Sequence, residues 1–554
     1  MKSFAILGLT GQGIETGGEI LSNVLKTLGY KHRVWRDFST IIRGGHTAYE
    51  IYISEDDEIE LPPRLEKVDL AIVWDDEGVK RYKDRVKNEY SIYGSKQVTN
   101  TVEEKNILDI PKIGFNVWAV GVITGALGIS FKEVQQQIQQ RFKDQKNQDL
   151  FYEGFQLTKT RCVGRPLLKR DTEYASISGN DALSLGAIAG GVRHYFGYPI
   201  TPASEILENL SEWLPPLGGA TYQVEDEIAA IHAAIGCSFS GKRTIVATSG
   251  PGISLMTEGI GYCSATEIPL VIIDNQRGGP STGMPTKTEQ SDLNHLKYGG
   301  HGEFSRVLLT PTSVIDCITV IQEALNLADY YQCPVIIALD LDLALRRVSL
   351  PWTEIEEAIN GIVIDRGRLI TENVEDGKYI RYESLDGLPP NRTIPGVKGG
   401  AYVASGDEHD ERGYMEPDFK EVRQSLHLRR LHKTDDIIYH RAFSKVGSEK
   451  APITIIGTGA MGELIEHLVN KDPETYQGIL LRQLSPVPLQ ELIDAIKETK
   501  KVIVAEYNAT GQIRTFIKEA IQHKEVNSIL RFDGEHYTEE EFEKELVQRL
   551  GVST

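Results

Sequence analysis

The sequence predicts a multidomain α/β protein. Short strand runs alternate with helical runs along most of the chain, which is the pattern of sheets covered by helices. Its 554 residues exceed what one hydrophobic core accommodates, so several domains are expected. The clearest strand runs are β-branched, apolar and bounded by Gly or Pro, as in strands buried on both faces.

The first expected domain, 1–165, opens on a strand at Phe4–Leu7, then the glycine-dense turn Gly8-Leu9-Thr10-Gly11-Gln12-Gly13 and a helix from about Gly17 to Leu28. Gly29 stands where a left-handed residue would end that helix. Strands at His32–Arg36, Ala48–Ile53 and Asp69–Trp74 follow, and their alternation with helices predicts a mostly parallel sheet. Glycines between a strand and a helix let the main chain approach a phosphate, and Asp37 would be the ribose-binding acid of a dinucleotide site. The spacing, however, is G-x-x-G-x-G rather than G-x-G-x-x-G, and Arg36 and Arg43 flank Asp37, so a plain tight turn competes. The polar, basic stretch near Lys159–Asp171 reads as a linker.

The second expected domain, 175–348, contains the strand runs Thr244–Thr248, Leu270–Asp274 and Val335–Leu339. In Tyr198-Pro199-Ile200-Thr201-Pro202 two prolines fix φ and restrict their predecessors, so the Thr201 hydroxyl sits on a stiff loop suited to a ligand; a structural turn capped by Thr201 or Ser204 is the alternative. Glu225, Asp226 and Glu227 lead into an Ala-rich apolar run. Acids in a first helical turn are often solvated caps, whereas one glutamate running into small residues can be buried and suited to proton transfer. Ser249-Gly250-Pro251-Gly252 is a turn that opens a helix. Arg277 is the single cation in a Gly/Pro/Ser/Thr loop after a strand, and its planar fork matches a carboxylate.

Residues 349–430 are charged, punctuated by Pro and Gly, and read as an irregular excursion; Asp407, Glu408, His409 and Asp410 within it fit a solvated loop better than a metal site. The last domain, 431–554, has strands at Ile453–Ile456 and Val502–Glu506 and a helix at Met461–Asn470.

Composition narrows function. Lys plus Arg total 60 against 79 Asp plus Glu, a balance of −19 that opposes general nucleic-acid binding. No apolar run approaches the roughly 18 residues of a membrane span. The N-terminus reads as a strand rather than a signal core, so a cytoplasmic location is expected. Five cysteines at 162, 237, 263, 317 and 333 are far apart, without the spacing of a zinc or iron–sulfur site.

Taken together, Tyr198–Pro202, Glu225–Glu227, Ser249–Gly252, Gln276–Gly283, Gln290–Leu293, His301-Gly302 and Ser405–Asp410 closely resemble the α domain of 2-oxoacid:ferredoxin oxidoreductases. The N-terminal domain, with its glycine loop and Arg43-Gly44-Gly45, is similar to the family's gamma domain; the C-terminal one, with Glu506-Tyr507-Asn508 and Gly511-Gln512, resembles the transketolase C-terminal domain. The resemblance covers nearly the whole chain in gamma–alpha fusion order, most like the 2-oxoglutarate type. It implies a gamma α/β domain, a pyrimidine-type thiamine-diphosphate-binding domain, and decarboxylation of a 2-oxoacid with acyl transfer to CoA and electrons to ferredoxin. It carries the acid that activates the cofactor's aminopyrimidine to Glu227, with Glu225 as the close alternative. Thr201 and Arg277 map onto positions that hold the substrate's carboxylate, with Tyr198, Gln290 and Asp292 nearby; Ser249, Gly250 and Gly252 map onto the cofactor side. His301 reads first as an ordinary loop histidine, with contact to a distal carboxylate as the alternative. Which domain clamps CoA stays open, the gamma-like domain with Gly11, Gly13 and Arg43 being the first choice.

The G-D-G…N motif that holds Mg²⁺ and diphosphate is missing, because Asp386-Gly387 and Asp533-Gly534 lack the preceding glycine. A separate beta chain is therefore expected to supply Mg²⁺, the diphosphate anchor and the [4Fe-4S] clusters, in a heterodimer or heterotetramer. The competing readings are a pyruvate or broad-specificity enzyme, a non-catalytic assembly subunit, and, third, a nucleotide-dependent dehydrogenase using Gly8–Gly13.

Overall fold

The computed structural model describes residues 1–37, 45–57, 60–87, 92–99, 107–110, 113–383, 389–415, 420–435, 437, 439 and 441–551. They fold as two compact units. The first is Met1–Ser178 with Leu345–Glu354 and His536–Glu545; the second is dominated by Gly179–Ala344 and Ile355–Glu535.

The first unit is built on an eight-stranded sheet in the order 107–108, 92–97, 70–75, 2–9, 46–53, 32–37, 347–351, 174–178. From 2–9 outward through 70–75, 92–97 and 107–108 the strands are parallel. On the other side 46–53, 32–37, 347–351 and 174–178 are all antiparallel to their neighbours. The expected mostly parallel sheet is thus corrected to a mixed one. The chain between Asp37 and His46 is shorter than the dozen or so residues that a parallel crossover needs. Residues 175–178 and 347–348, read from sequence as the ends of the second domain, pair with each other in this first sheet.

The first helix spans Ile14–Thr27, and Gly29 follows it with φ of 76°. Helix Phe115–Ala126 is buried along its whole length and packs on Gln145–Thr158, with Gly121 against the Phe151 carbonyl and Gly154 against the Trp118 carbonyl; a Cβ at either would collide. The expected linker is anchored rather than loose. Val163 and Leu167 are buried, and their N–H groups donate to Ala126 and Leu127 carbonyls (2.8 and 3.0 Å).

The second unit carries two sheets. The larger runs in the order 483–485, 307–309, 334–340, 270–276, 244–248, 194–197, 220–223, parallel except for 483–485. Its three central strands are buried at every position, as their unbroken apolar runs require. The smaller sheet runs 443–447, 476–481, 453–457, 501–506, 525–530, parallel except for 443–447. Val246, Ile272, Leu308 and Ile336 of one sheet share a core with Ile456, Ile479, Leu481 and Val504 of the other. Apolar residues of 431–554, read from sequence as a separate domain, thus share a core with the larger sheet. The excursion is held by buried charge: Arg392 donates to Asp329 (3.2 Å) and to the Ser238 carbonyl (3.1 Å). Among the described residues no helix is long and apolar enough to cross a membrane.

Candidate functional site

Four loops leave the C-terminal ends of strands 194–197, 220–223, 244–248 and 270–276 in the larger sheet. From 194–197 the chain turns outward to 220–223, then returns across it to 244–248 and on to 270–276. Open parallel sheets bind ligands at such a reversal.

In the first loop the Thr201–Pro202 bond is cis. Asn180 braces it: its amide donates to the Pro202 carbonyl (3.0 Å), and its Oδ1 accepts from Asn275 Nδ2 (2.9 Å). Arg277, only 8% exposed, reaches across from the fourth loop and donates Nη1–H to the Thr201 carbonyl (2.7 Å). The structure thus joins the two residues predicted to hold a carboxylate, and Arg277 Nε has no protein partner. Tyr198 is exposed beside them.

The second loop buries one of the two glutamates and exposes the other. Asp226 takes the N-cap, accepting from the Ala229 N–H (2.8 Å). That leaves Glu225 exposed and turns Glu227 inward, 5% exposed, with the Thr248 hydroxyl 3.5 Å from its carboxylate. The third loop closes over it. A Cβ on Gly252 would collide with the Thr248 hydroxyl and lie 2.8 Å from Glu227 Oε1. Gly252→Ala is accordingly expected to cost about 1–3 kcal/mol through overpacking, read as a lowered melting temperature together with reduced activity. Ser249 is fully buried and its hydroxyl has no protein partner.

Two carboxyls lie under Arg277. Asp274, the last residue of the predicted apolar run, is fully buried with neither oxygen partnered. Burial first, and the charge of Asp292 second, raise its proton affinity well above the usual carboxylate range, against the pull of Arg277. Asp292 is raised too, by burial and then by Glu289. Its Oδ2 is unpartnered and stands where a Cβ on Gly250 would come within 2.6 Å. Burial lowers the proton affinity of the Arg277 guanidinium, opposed by both aspartates.

Other predicted residues lie elsewhere. Gln290 donates to Asp340 (3.1 Å) and the Thr458 carbonyl (3.0 Å) and accepts from the Tyr507 N–H (3.2 Å), so its amide fastens the two sheets together and does not face Arg277. His301 lines a different cavity of about 550 Å³ with Tyr262, Glu303, Asp407, Glu408 and Arg430. Glu408 is ion-paired there with Arg423 and Arg430. Gly11 and Gly13 belong to the first unit, where Gly13 caps helix Ile14–Thr27 and accepts from Asn116 (3.0 Å). Asp37, the proposed ribose acid, is ion-paired with Arg81. Arg43 lies outside the described residues. Sequence reasoning missed Asp274, Asn180 and Thr248. A charged residue closing an otherwise apolar central strand was the available signal for the first.

Comparison with known proteins gives the class. Residues 185–426 match the family model described as pyruvate flavodoxin/ferredoxin oxidoreductase, thiamine diphosphate-binding, and residues 3–157 match the one described as pyruvate ferredoxin/flavodoxin oxidoreductase. The 2-oxoacid:ferredoxin oxidoreductase subunit alpha of a Sulfolobus species is 28% identical, over 99% of this chain and 96% of its own. The 2-oxoglutarate synthase subunit KorA of Methanothermobacter marburgensis is 34% identical, its match covering 97% of that protein and 67% of this chain. The solved 2-oxoglutarate:ferredoxin oxidoreductase of Magnetococcus marinus, with 2-oxoglutarate, coenzyme A and succinyl-CoA bound, superposes with a TM-score of 0.84 at 28% identity, over 99% of each chain. The chain therefore belongs to the 2-oxoacid:ferredoxin oxidoreductases and is an alpha-type subunit of such an enzyme.

Proposed function

We propose that this chain is the alpha half of an enzyme that converts 2-oxoglutarate and CoA to succinyl-CoA and CO2 while reducing ferredoxin, and that a separate beta chain completes the active site. The observation that carries the reading is that a buried glutamate, Glu227, and a buried arginine, Arg277, both stand at one sheet edge. The substrate assignment rests on the relatives named 2-oxoglutarate synthase and on the ligands of the Magnetococcus protein.

The residues present fit thiamine diphosphate. A buried carboxyl, an orphaned Ser249 hydroxyl and a glycine that leaves room beside Glu227 form a cradle for its pyrimidine half. When bound, the cofactor supplies the electron sink for cleaving the bond to the carboxyl group. Glu227 would hold and exchange a proton with it, Gly252 keeping that carboxyl in place. Arg277, steadied by the Thr201 carbonyl, would fix the 2-oxoacid's carboxylate, and Asn180 would keep the Thr201 loop rigid. The five cysteines support placing the iron–sulfur clusters on the beta chain. Cys263, Cys317 and Cys333 are buried, each thiol pushed up in proton affinity by desolvation, Cys333 to about 11. The gamma-like glycine loop remains the first choice for CoA.

The test is reconstitution. Purified alone, the chain should not reduce a viologen dye with 2-oxoglutarate, thiamine diphosphate, Mg²⁺ and CoA; with its beta chain it should. A kcat/KM for pyruvate equal to or above that for 2-oxoglutarate would overturn the substrate assignment, and full activity without the beta chain would overturn the shared site.

A further inference from the structure

We infer that Asp274 and Asp292 are positioning residues for the substrate's carboxylate, and that the pair takes up one proton from solvent when that carboxylate docks on Arg277. This inference rests on the reading of Arg277 as the carboxylate anchor.

The geometry places three ionisable groups in one buried cluster, with too few partners for all of them to be charged. Asp274 is wholly inaccessible and neither oxygen meets a donor; Asp292 Oδ2 and Arg277 Nε are orphaned as well. Buried polar atoms left unpaired point to a ligand, ordered water or an altered protonation state. The Asp292 N–H donates to Gln276 Oε1 (3.3 Å), next to Arg277 and two residues from Asp274. Two carboxylates in one such buried cluster cannot both ionise cheaply, so a shared proton is the economical state. The raised proton affinity of both agrees with that. With one proton on the pair, a single negative charge offsets Arg277. With two protons, Arg277 presents its full charge to an incoming carboxylate. Docking a third negative group therefore favours the second proton, and by linkage that proton favours docking.

Among the described residues, these charged groups act on the pair. Asp274 faces Asp292 and Arg277; Asp292 faces Arg277 and Glu289. Glu289, 8% exposed, is itself raised by burial and by Asp533. Glu227 stands two helix positions on from the Gly250 that Asp292 touches, at Gly252. The sign of the pH dependence follows. Affinity for the carboxylate is highest while the free pair is fully protonated. It falls by up to tenfold per pH unit between the pair's free and ligand-bound titration points, then levels off.

The experiment uses the assembled alpha–beta enzyme and 2-hydroxyglutarate, a non-reacting 2-hydroxy acid whose carboxylates stay ionised, with its inhibition constant measured against 2-oxoglutarate from pH 6 to 9. The wild type should show the rising profile. Asp292→Asn should flatten it and bind more tightly at pH 9, whereas Glu289→Gln should keep it. Calorimetric titration of the wild type in phosphate and in Tris should report net proton uptake on binding, which needs no variant to fold. An unchanged slope in Asp292→Asn, or zero uptake in the wild type, overturns the inference. Arg277→Gln in the same series separates the two readings. If it leaves the inhibition constant unaltered, the anchor itself is wrong. If it weakens binding while Asp292→Asn keeps the wild-type slope, only the pair's role fails.

Discussion

Glu227→Gln, assembled with its beta chain, is expected to lose about 10²- to 10⁴-fold in kcat, the range spanned by a positioned acid–base group. The substitution is nearly isosteric, so the carboxamide still fills the space beside Gly252 and the Thr248 hydroxyl, and the melting temperature should move little. What it removes is the exchangeable proton. Glu225→Gln is the matched control. That side chain is exposed on the preceding turn, and activity should stay within a few-fold of wild type. Dye reduction by the two variants decides the matter, and equal losses in both, or a larger loss in Glu225→Gln, would reassign the acid.

The second large effect falls on Arg277. A hydrogen bond between charged groups contributes about 1.5–3 kcal/mol, which converts to roughly a 10- to 150-fold change in binding. Arg277→Gln should raise KM for 2-oxoglutarate by about that factor. Part of the loss will be indirect, because the bond from Arg277 to the Thr201 carbonyl also steadies the first loop. Arg277→Lys restores the charge without the fork, so it should recover only a fraction of the affinity. A KM unchanged in Arg277→Gln would show that the carboxylate is held elsewhere.

Much of this site was legible in the residues because its parts are local. A stiff Pro-x-x-Pro loop, an acid-led helix and a lone arginine in a Gly/Pro loop each announce themselves within a few positions. Which of Glu225 and Glu227 is buried was not legible, since it turns on Asp226 taking the cap, with one neighbour facing outward and the other inward. The contacts of Gln290 were not legible either. It sits in a ligand-rich string, yet its partners Asp340, Thr458 and Tyr507 are 50 or more positions away.

The same division runs through the fold. The buried parallel strands 244–248, 270–276 and 334–340 follow from unbroken apolar runs, and the end of the first helix follows from Gly29. Strands 174–178 and 347–351, which pair over a separation of more than 160 residues, could not be assigned to a sheet from local sequence. Sequence by itself determined the chemistry on offer at the sheet edge, because side-chain identity and turn stiffness are written residue by residue. Only the tertiary structure decided which groups are dry, since burial is a property of packing between distant segments. Dryness is what makes two aspartates beside an arginine share one proton.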